Sequence, residues 1–421
     1  MVQRQIVLRA RFVLPISRPP IENGAVRVAG KRIVAVGRWR DAAAGGGGQA
    51  VDLGETVLLP GLVNAHCHLD YTRMAGELPP PTSFTDWIKL ITAAKAGWTY
   101  SDCAESWLVG ARMLLETGTT TVADIEAVPE LLPEVWEATP LRVFSFLEMT
   151  GIKSRRDPRA IVHQAAAKIA TLEFDRCRAG FSPHAPYSTI PELLRRSNDA
   201  AREHNWRLAM HVAESEQEFE MFMRARGEMF EWLRRNGRDM SDCGGVSPVQ
   251  HLDRTGLLCQ RLLAVHVNRL AAGDAELLAR RRVSVAHCPR SHAYFRHHSF
   301  PRRQLADAGV NLCLGTDSLA TVRKRSREQT ALNLFEEMRA LATDDPALSP
   351  KTILEMATVN GARGLDMAGQ VGELTENSCA DLIAIPGTGK ARDIYAAVLH
   401  HSGAVTASMI DGRWAVPPPS L

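Results

Sequence analysis

The sequence predicts an α/β protein in which a (β/α)8 TIM barrel carries a small β-sandwich domain built from both chain termini. Residues 58–368 contain eight short apolar runs that alternate with amphipathic stretches, the pattern of a barrel. Polar residues stand at the C-terminal ends of many of these runs, where a barrel keeps its chemistry. Both ends of the chain instead alternate apolar and polar residues, which is typical of antiparallel strands. An open doubly wound sheet is the alternative for the middle, but the strand number and the polar strand ends count against it.

Composition and charge exclude several classes of protein. The 421 residues are 45% hydrophobic and 23% charged, which is ordinary for a globular chain and excludes disorder as the main state. The 50 Lys and Arg residues against 47 Asp and Glu give a net charge of +3, too small for a protein dedicated to nucleic acid. No apolar run of about 18 residues occurs, so no membrane span is expected. The N-terminus lacks a signal-peptide pattern and the eight cysteines form no C-x-x-C pair, so we expect a reducing cytoplasm.

The β-sandwich domain is predicted from residues 1–57 and 369–421. The N-terminal part contains three strand-like runs, QIVLRARFVL, GAVRVAGKRIVAVG and QAVDLGETVLL, which predict a small antiparallel sheet. The C-terminal part has the same texture in VGELTENSCADLIAIPG and GAVTASMIDGRWAV. Because the two ends share this alternation of apolar and polar residues and the middle of the chain does not, the ends are predicted to form one discontinuous domain.

The barrel is predicted over residues 58–368. Amphipathic stretches such as ESWLVGARMLLETG and PELLRRSNDAAREHN separate its strands and predict the outer helices. The predicted strands are residues 59–66, 119–125, 141–149, 177–184, 207–212, 261–267, 283–288 and 310–317.

The first strand ends in LPGLVNAHCHLD, which contains His66 and His68. Residues i and i+2 of a strand point to the same side, so the two imidazoles can share one metal ion at the barrel mouth. Taken alone, the H-x-H pattern is weak, because two histidines in a strand can also be structural.

Three further predicted strands end in polar residues of the same chemistry. His211 closes the fifth strand, and Glu214 follows it as a carboxylate able to move protons. His266 closes the sixth strand and Asp317 the eighth, where a buried carboxylate needs a partner such as a metal ion. Each residue has an ordinary alternative role, as a solvated loop acid, a core histidine or a helix N-cap. Their joint occurrence at the strand ends of one barrel favours a site.

The motifs PGLVNAHCHLD, HVAE, VH and GTDS, in this order, resemble the amidohydrolase superfamily over nearly the whole chain. The stretches HVAES, SPHAPYS, HCPRSHAYF and LGTDSLAT are similar to the branch that holds methylthioadenosine/adenosylhomocysteine deaminases, chlorohydrolases and aminodeoxyfutalosine deaminases. The resemblance implies one divalent metal ion with four ligands: His66, His68, His211 and Asp317. It also implies that His266 contacts the water that the metal activates and that Glu214 is the proton shuttle.

The chemistry that the resemblance implies is deamination of an aromatic ring. Binuclear members of the superfamily carry a lysine on the fourth strand, whereas here that strand reads CRAGFSPHAP, so one metal fits better. Zinc suits histidine and carboxylate ligands best, with iron or manganese as alternatives. In this scheme Asp317 accepts the proton of the attacking water, and Glu214 donates a proton to a ring nitrogen before ammonia leaves.

Five residues are predicted to contact the substrate: Lys95, Glu148, His184, Arg290 and Ser291. Glu148 and His184 end the third and fourth strands, and Arg290 and Ser291 follow the seventh. Lys95 stands where methylthioadenosine deaminases have a glutamate that holds the ribose, and a cation there suggests an anionic group on the ligand.

An anionic ligand makes 6-amino-6-deoxyfutalosine the first expectation for the substrate, with Arg73 as a further cation for its carboxylate. The alternatives are methylthioadenosine or adenosylhomocysteine deamination, and removal of chloride or an alkylamine from a heteroaromatic ring. The basic run Arg323, Lys324, Arg325 and Arg327 can steer an anion, begin an exposed helix or contact another subunit. A homodimer is compatible with the resemblance, because barrels of this family are often dimers or larger.

Overall fold

The fold consists of an eight-stranded parallel barrel and a separate eight-stranded mixed sheet. The computed structural model describes residues 5–43, 48–152, 156–323 and 330–419. The predicted α/β class and the predicted TIM barrel are confirmed. Among the described residues, no helix combines the length and apolar character that crossing a lipid bilayer would require.

Sixteen strands are assigned in the described residues. In chain order they are β1 Gln5–Val13, β2 Ile21–Ala29, β3 Arg32–Arg38, β4 Gln49–Asp52, β5 Thr56–Pro60, β6 Leu62–Cys67, β7 Thr119–Glu126, β8 Arg142–Met149, β9 Arg178–Pro183, β10 Leu208–Val212, β11 Leu262–His266, β12 Ser284–His287, β13 Asn311–Leu314, β14 Leu382–Pro386, β15 Ala407–Ile410 and β16 Arg413–Val416.

Helices surround the barrel and occupy most of the connections. The α-helices are α1 Trp39–Ala43, α2 Phe84–Lys95, α3 Tyr100–Glu116, α4 Leu132–Ala138, α5 Pro158–Ile169, α6 Pro191–Glu203, α7 Glu216–Arg224, α8 Glu228–Arg235, α9 Pro248–Arg254, α10 Asp274–Arg280, α11 Pro289–Tyr294, α12 Arg302–Asp307, α13 Leu334–Asp344, α14 Pro350–Met356, α15 Val359–Gly364 and α16 Ile394–Leu399. Short 3-10 turns lie at Leu69–Met74, Pro129–Leu131, Pro186–Ser188, Leu319–Thr321 and Ala391–Asp393.

The terminal sheet joins both chain ends, in the order β16-β15-β14-β5-β1-β2-β3, with β4 beside β1. The expectation of a purely antiparallel N-terminal sheet was wrong, because β1 pairs in parallel with both β4 and β5. Strand β5 is buried along its whole length and pairs antiparallel with β14 on its other side. It therefore links the two halves of the sheet, and the first barrel strand starts only at Leu62.

The barrel strands β6 to β13 lie in chain order, each beside the next. A parallel bridge between Cys67 and Asp317 joins the last strand to the first. All eight predicted barrel strands are thus present. Because parallel strands of a barrel point the same way, their C-terminal ends meet at one mouth.

Apolar side chains of alternate strand residues fill the barrel below this mouth. They form one buried cluster: Val63, Ala65, Ala123, Ile125, Phe144, Phe146, Ala209, Leu263, Ala286 and Cys313. Side chains two positions apart on a strand share a face. Glu148 follows Phe146 and His211 follows Ala209 at this spacing, so both polar groups stand above the apolar layer.

A glycine lets the last strand approach the first. A Cβ atom at Gly315 would lie 2.8 Å from the Cβ of His66, closer than real contacts allow. The peptide N–H groups of Thr316 and Asp317 both donate to the carbonyl of His66, at 2.9 and 3.1 Å. This close approach delivers Asp317 to the histidines of β6.

Candidate active site

Four of the predicted site residues converge at the barrel mouth. Nε2 of His68 lies 3.2 Å from Nε2 of His211, and Oδ1 of Asp317 lies 3.6 Å from Nε2 of His66 and 3.8 Å from Nε2 of His68. Two ligand atoms that are each about 2.1 Å from one ion cannot be more than about 4.2 Å apart. These three distances therefore fit a common metal ion.

The donor atoms also fit a metal by their burial and protonation. Both ring nitrogens of His66 are buried and have no hydrogen-bond partner among the described residues, an arrangement that is costly unless another group binds there. Burial and neighbouring imidazoles hold the pKa values of His68 and His211 well below their usual range, so both rings are neutral at neutral pH. Neutral imidazole is the form that binds a metal, and three histidines with one carboxylate suit zinc.

Neighbouring groups fix the orientation of two proposed ligands. The carbonyl of His184 lies 2.9 Å from Nδ1 of His211, which leaves Nε2 free to face the cluster. The peptide N–H of Ser318 donates to Oδ1 of Asp317 at 2.8 Å, and the Thr321 hydroxyl donates to Oδ2 at 3.3 Å. Burial alone would raise the pKa of Asp317, but the nearby histidines hold it well below its usual range, so the carboxylate is ionised.

Glu214 and His266 lie beside these ligands and can exchange a proton. Oε1 of Glu214 is 3.5 Å from Nε2 of His266. Burial, with added repulsion from Asp317 and Glu218, raises the pKa of Glu214 well above its usual range. Burial lowers the pKa of His266 to about 3. The imidazole of His266 is therefore neutral at neutral pH, and burial favours the protonated form of the Glu214 carboxyl group.

Two residues that the sequence did not single out hold Glu214 in place. The carboxylate of Glu218 accepts the peptide N–H groups of Ala213 and Glu214, at 3.1 and 2.9 Å. The Asn268 side chain donates to the carbonyl of Glu214 at 3.0 Å. The available signal was a glutamate four positions after Glu214, in the first turn of α7, where a side chain can reach back to free N–H groups.

The backbone is strained at the residues that carry the chemistry. His266, Val267 and Asp317 have φ values of 72°, 51° and 54°, in the left-handed region that favours glycine. Such residues cost about 1–3 kcal/mol each and persist where the surrounding structure holds them. The Val267 N–H donates to the carbonyl of Val212 at 2.9 Å, which ties β11 to β10 at this point.

A cavity of about 540 Å³ opens above these groups. Glu148 and His184, two of the predicted substrate contacts, line it, and Nδ1 of His184 lies 2.6 Å from the Ser188 hydroxyl. The motifs did not reveal the largely apolar walls, which come from loops and from α2 and α8. The wall residues include Tyr71, Trp87, Ile88, Ile91, Ile152, Tyr187 and Trp232.

The structure does not bring the other predicted substrate contacts to this cavity. Lys95 forms an ion pair with Asp70, and Arg290 lies 2.8 Å from Glu336. Ser291 is only 1% exposed and lies outside the lining.

Neither Arg73 nor Arg323 lines the cavity. Arg73 pairs at 2.6 Å with Glu105, and Arg323 is exposed. Lys324, Arg325 and Arg327 lie outside the described residues, so the roles predicted for the basic run stay predictions.

Comparison with known proteins agrees with this architecture. A profile of the amidohydrolase family matches residues 57–415. The 5-methylthioadenosine/S-adenosylhomocysteine deaminase of Syntrophobacter fumaroxidans is 33% identical over 384 residues, covering 86% of this chain and 80% of that protein.

Two solved structures share the fold. The zinc-bound adenosine deaminase of Xanthomonas campestris has a TM-score of 0.84 at 24% identity, covering 98% of this chain and 92% of that one. The aminofutalosine deaminase of Helicobacter pylori, solved with methylthio-coformycin, has a TM-score of 0.86 at 20% identity, covering 97% and 100%. The resemblance carried by the sequence motifs is thus confirmed, and the chain belongs to the amidohydrolase family.

Proposed function

We propose that this enzyme is a metal-dependent deaminase of adenosine-like substrates. It replaces the ring amino group by oxygen from water and releases ammonia. The observation that carries the proposal is the buried carboxyl group of Glu214, which lies 3.5 Å from His266 and next to a cluster of metal-binding side chains. A buried acid that keeps its proton at neutral pH can protonate a ring nitrogen, which deamination requires.

The proposed metal ligands are His66, His68, His211 and Asp317. A divalent ion held there would lower the pKa of a bound water molecule, to about 7 for zinc. The distances between these ligand atoms are compatible with a single ion, and the neutral imidazoles of His68 and His211 need not lose protons to bind it.

The chain's own side chains move the protons. Glu214 donates its proton to the ring nitrogen next to the amino-bearing carbon, which makes that carbon electrophilic. Water adds to the carbon: one of its protons passes to Asp317, and the other passes through the Glu214 carboxylate to the leaving amine. The proton on Asp317 then returns to Glu214 and restores the acid for the next turnover. The carbon–nitrogen bond then breaks, a carbonyl remains and ammonia leaves. His266 orients the attacking water by hydrogen bonding.

The walls of the cavity favour a substrate without a charged tail, because Lys89, the one Lys or Arg residue among the described residues that line it, is paired with Asp86 at 3.1 Å. Trp87 and Trp232 offer aromatic surfaces against which a purine can stack. The expectation of 6-amino-6-deoxyfutalosine rested on Lys95, Arg290 and Arg73, and each of these cations already binds a carboxylate of the protein. We therefore infer that adenosines with an apolar 5′ group, such as 5′-methylthioadenosine, are better substrates.

A substrate panel tests this proposal. Ammonia release is measured with 5′-methylthioadenosine, 5′-deoxyadenosine, S-adenosylhomocysteine and 6-amino-6-deoxyfutalosine at matched concentrations. The expected order places the first two compounds above the two that carry charged groups. Preference for the carboxylate-bearing futalosine would restore the first expectation, and chloride release from a chlorotriazine without ammonia release would contradict deamination.

A further inference from the structure

We propose that Lys95 is a positioning residue that ties the cavity wall to the metal ligand His68, and that it does not bind the substrate. The inference rests on the proposed function in one respect, namely that His68 holds a metal ion. It gives Lys95 a role different from the substrate contact that its sequence position suggested.

The Lys95 ammonium is already engaged inside the protein. Its Nζ forms an ion pair with Oδ2 of Asp70 and lies 4.2 Å from the ring centroid of Tyr71. The side chain of Lys95 is 18% exposed and that of Asp70 only 1%. A cation over an aromatic ring and beside a buried carboxylate is attracted to both, so Lys95 is not available to a ligand.

The Tyr71 ring, which Lys95 contacts on one side, also contacts a proposed metal ligand. Tyr71 and His68 are stacked, with ring centroids 5.2 Å apart and an interplanar angle of 10°. His68 is in turn nearly parallel to His211, with centroids 5.3 Å apart. Because residues next to a metal site fix the orientation of its ligands, a shift of Tyr71 would leave His68 free to rotate.

Lys95 is also the last residue of α2, the helix that forms one wall of the cavity. Trp87, Ile88 and Ile91 of the same helix line the cavity. Ile91 and Met74 belong to one buried apolar cluster, so the helix and the turn after β6 are packed together as well as ion-paired. The pair Lys95–Asp70 thus joins the end of the wall to the turn that begins directly after His68.

The charge of Lys95 also offsets a group of buried acids. Burial raises the pKa values of Asp70, Asp124 and Glu126, and the charge of Lys95 lowers all three. One oxygen of Asp70 and one of Glu126 are buried without a hydrogen-bond partner. Without the cation, these acids lose a stabilising neighbour close to the metal ligands.

Metal affinity provides the test, since it does not depend on substrate. Competition with a zinc chelator is measured for the intact enzyme, Lys95→Met, Lys95→Arg and a matched control, Lys351→Met. Lys351 forms a surface pair with Glu355 on a distant helix. Lys95→Met is expected to weaken zinc binding by about 10- to 100-fold, whereas Lys95→Arg recovers most of it and the control matches the wild type.

Hydrogen exchange of the α2 amides is the second readout, and it needs no metal. Exchange over 84–95 is expected to accelerate in Lys95→Met but not in the control. If zinc affinity and α2 exchange stay at the wild-type values while KM rises only for carboxylate-bearing substrates, Lys95 is a substrate contact and the proposal is overturned. If the wild type binds no zinc, the proposed function fails. The hydrogen-exchange rate of the α2 amides alone then supports or refutes the proposal that Lys95 fixes the end of α2.

A double variant excludes simple unfolding. In Asp70→Asn/Lys95→Met the uncompensated carboxylate is gone, so the fold should be as stable as the wild type or nearly so. The positioning role predicts that zinc affinity stays low even though stability recovers. Recovery of both would show that Lys95 only neutralises Asp70, which would contradict the proposal.

Discussion

At the residue scale, the proton on Glu214 decides whether the site can perform deamination. Glu214 is 5% exposed, and its carboxyl group faces a neutral imidazole 3.5 Å away. A glutamine at this position has the same shape but no acidic proton to donate. The proposed chemistry therefore depends on this group as well as on the groups that hold the metal.

Glu214→Gln is expected to lower kcat by about 10²- to 10⁴-fold, the usual contribution of a general acid–base group. Metal content should not change, because Glu214 is not among the four proposed ligands. Steady-state ammonia release and elemental analysis of the same preparation measure both quantities. Glu216→Gln, two residues along and paired with Arg269 at the surface, is the control and should behave as wild type. Near-normal turnover in Glu214→Gln would refute the assigned proton route.

Sequence patterns could predict the site residues that end strands. His66, His211, His266 and Asp317 follow apolar runs, and a barrel brings strand ends together whatever their separation in the chain. The patterns could not predict which Lys and Arg side chains pair with carboxylates of the protein and which can bind a ligand. Lys95 and Arg290 find their carboxylates through the packing of helices against loops, and no local spacing encodes that pairing.

At the element scale, a buried ion pair fastens the barrel to the terminal sheet. Nε of Arg142, the first residue of β8, lies 3.0 Å from Asp381, just before β14. One terminal nitrogen lies 2.6 Å from Asp411, beyond β15. Asp381 also accepts the N–H of Asp411 at 2.9 Å, so the three residues form one network.

Arg142→Met is expected to lower the free energy of unfolding by about 3–5 kcal/mol, because it leaves two buried carboxylates unpaired. Urea unfolding followed by circular dichroism measures the change. Arg281→Met is the matched control: its pair with Asp253 is solvent-accessible, and its loss should change the stability far less than Arg142→Met does. Equal losses in both variants would show that the network does not fasten the two parts.

The terminal sheet shows why element pairing was only partly predictable. Period-two alternation identified its strands, but alternation does not state which strands pair or in which direction. Strand β1 pairs in parallel with β4 and β5, because the chain returns to the same edge of β1 before it enters the barrel. The domain limits at residues 57 and 368 stay predictions, although β5 lies across the first of them.

At the scale of the whole molecule, residues far apart in the sequence form one site because the barrel closes. His66 lies in β6 and His68 directly after it, and His211 lies in β10. Asp317 follows the end of β13, and its bridge to Cys67 joins the last strand to the first. The family profile spans residues 57–415, so it covers the barrel and the strands β5, β14, β15 and β16 of the terminal sheet, but not β1 to β4. A homodimer stays a prediction that mass measurement in solution can check.

The most direct test of the account is the metal content of the chain. Protein purified without chelator is analysed by mass spectrometry for zinc, iron and manganese, beside His211→Ala prepared in the same way. We expect about one divalent ion per wild-type chain, in keeping with a single cluster of one carboxylate and three imidazoles. His211→Ala should stay folded, retain little metal and release no ammonia. A folded wild-type enzyme that deaminates its substrate with no bound metal would contradict the central claim.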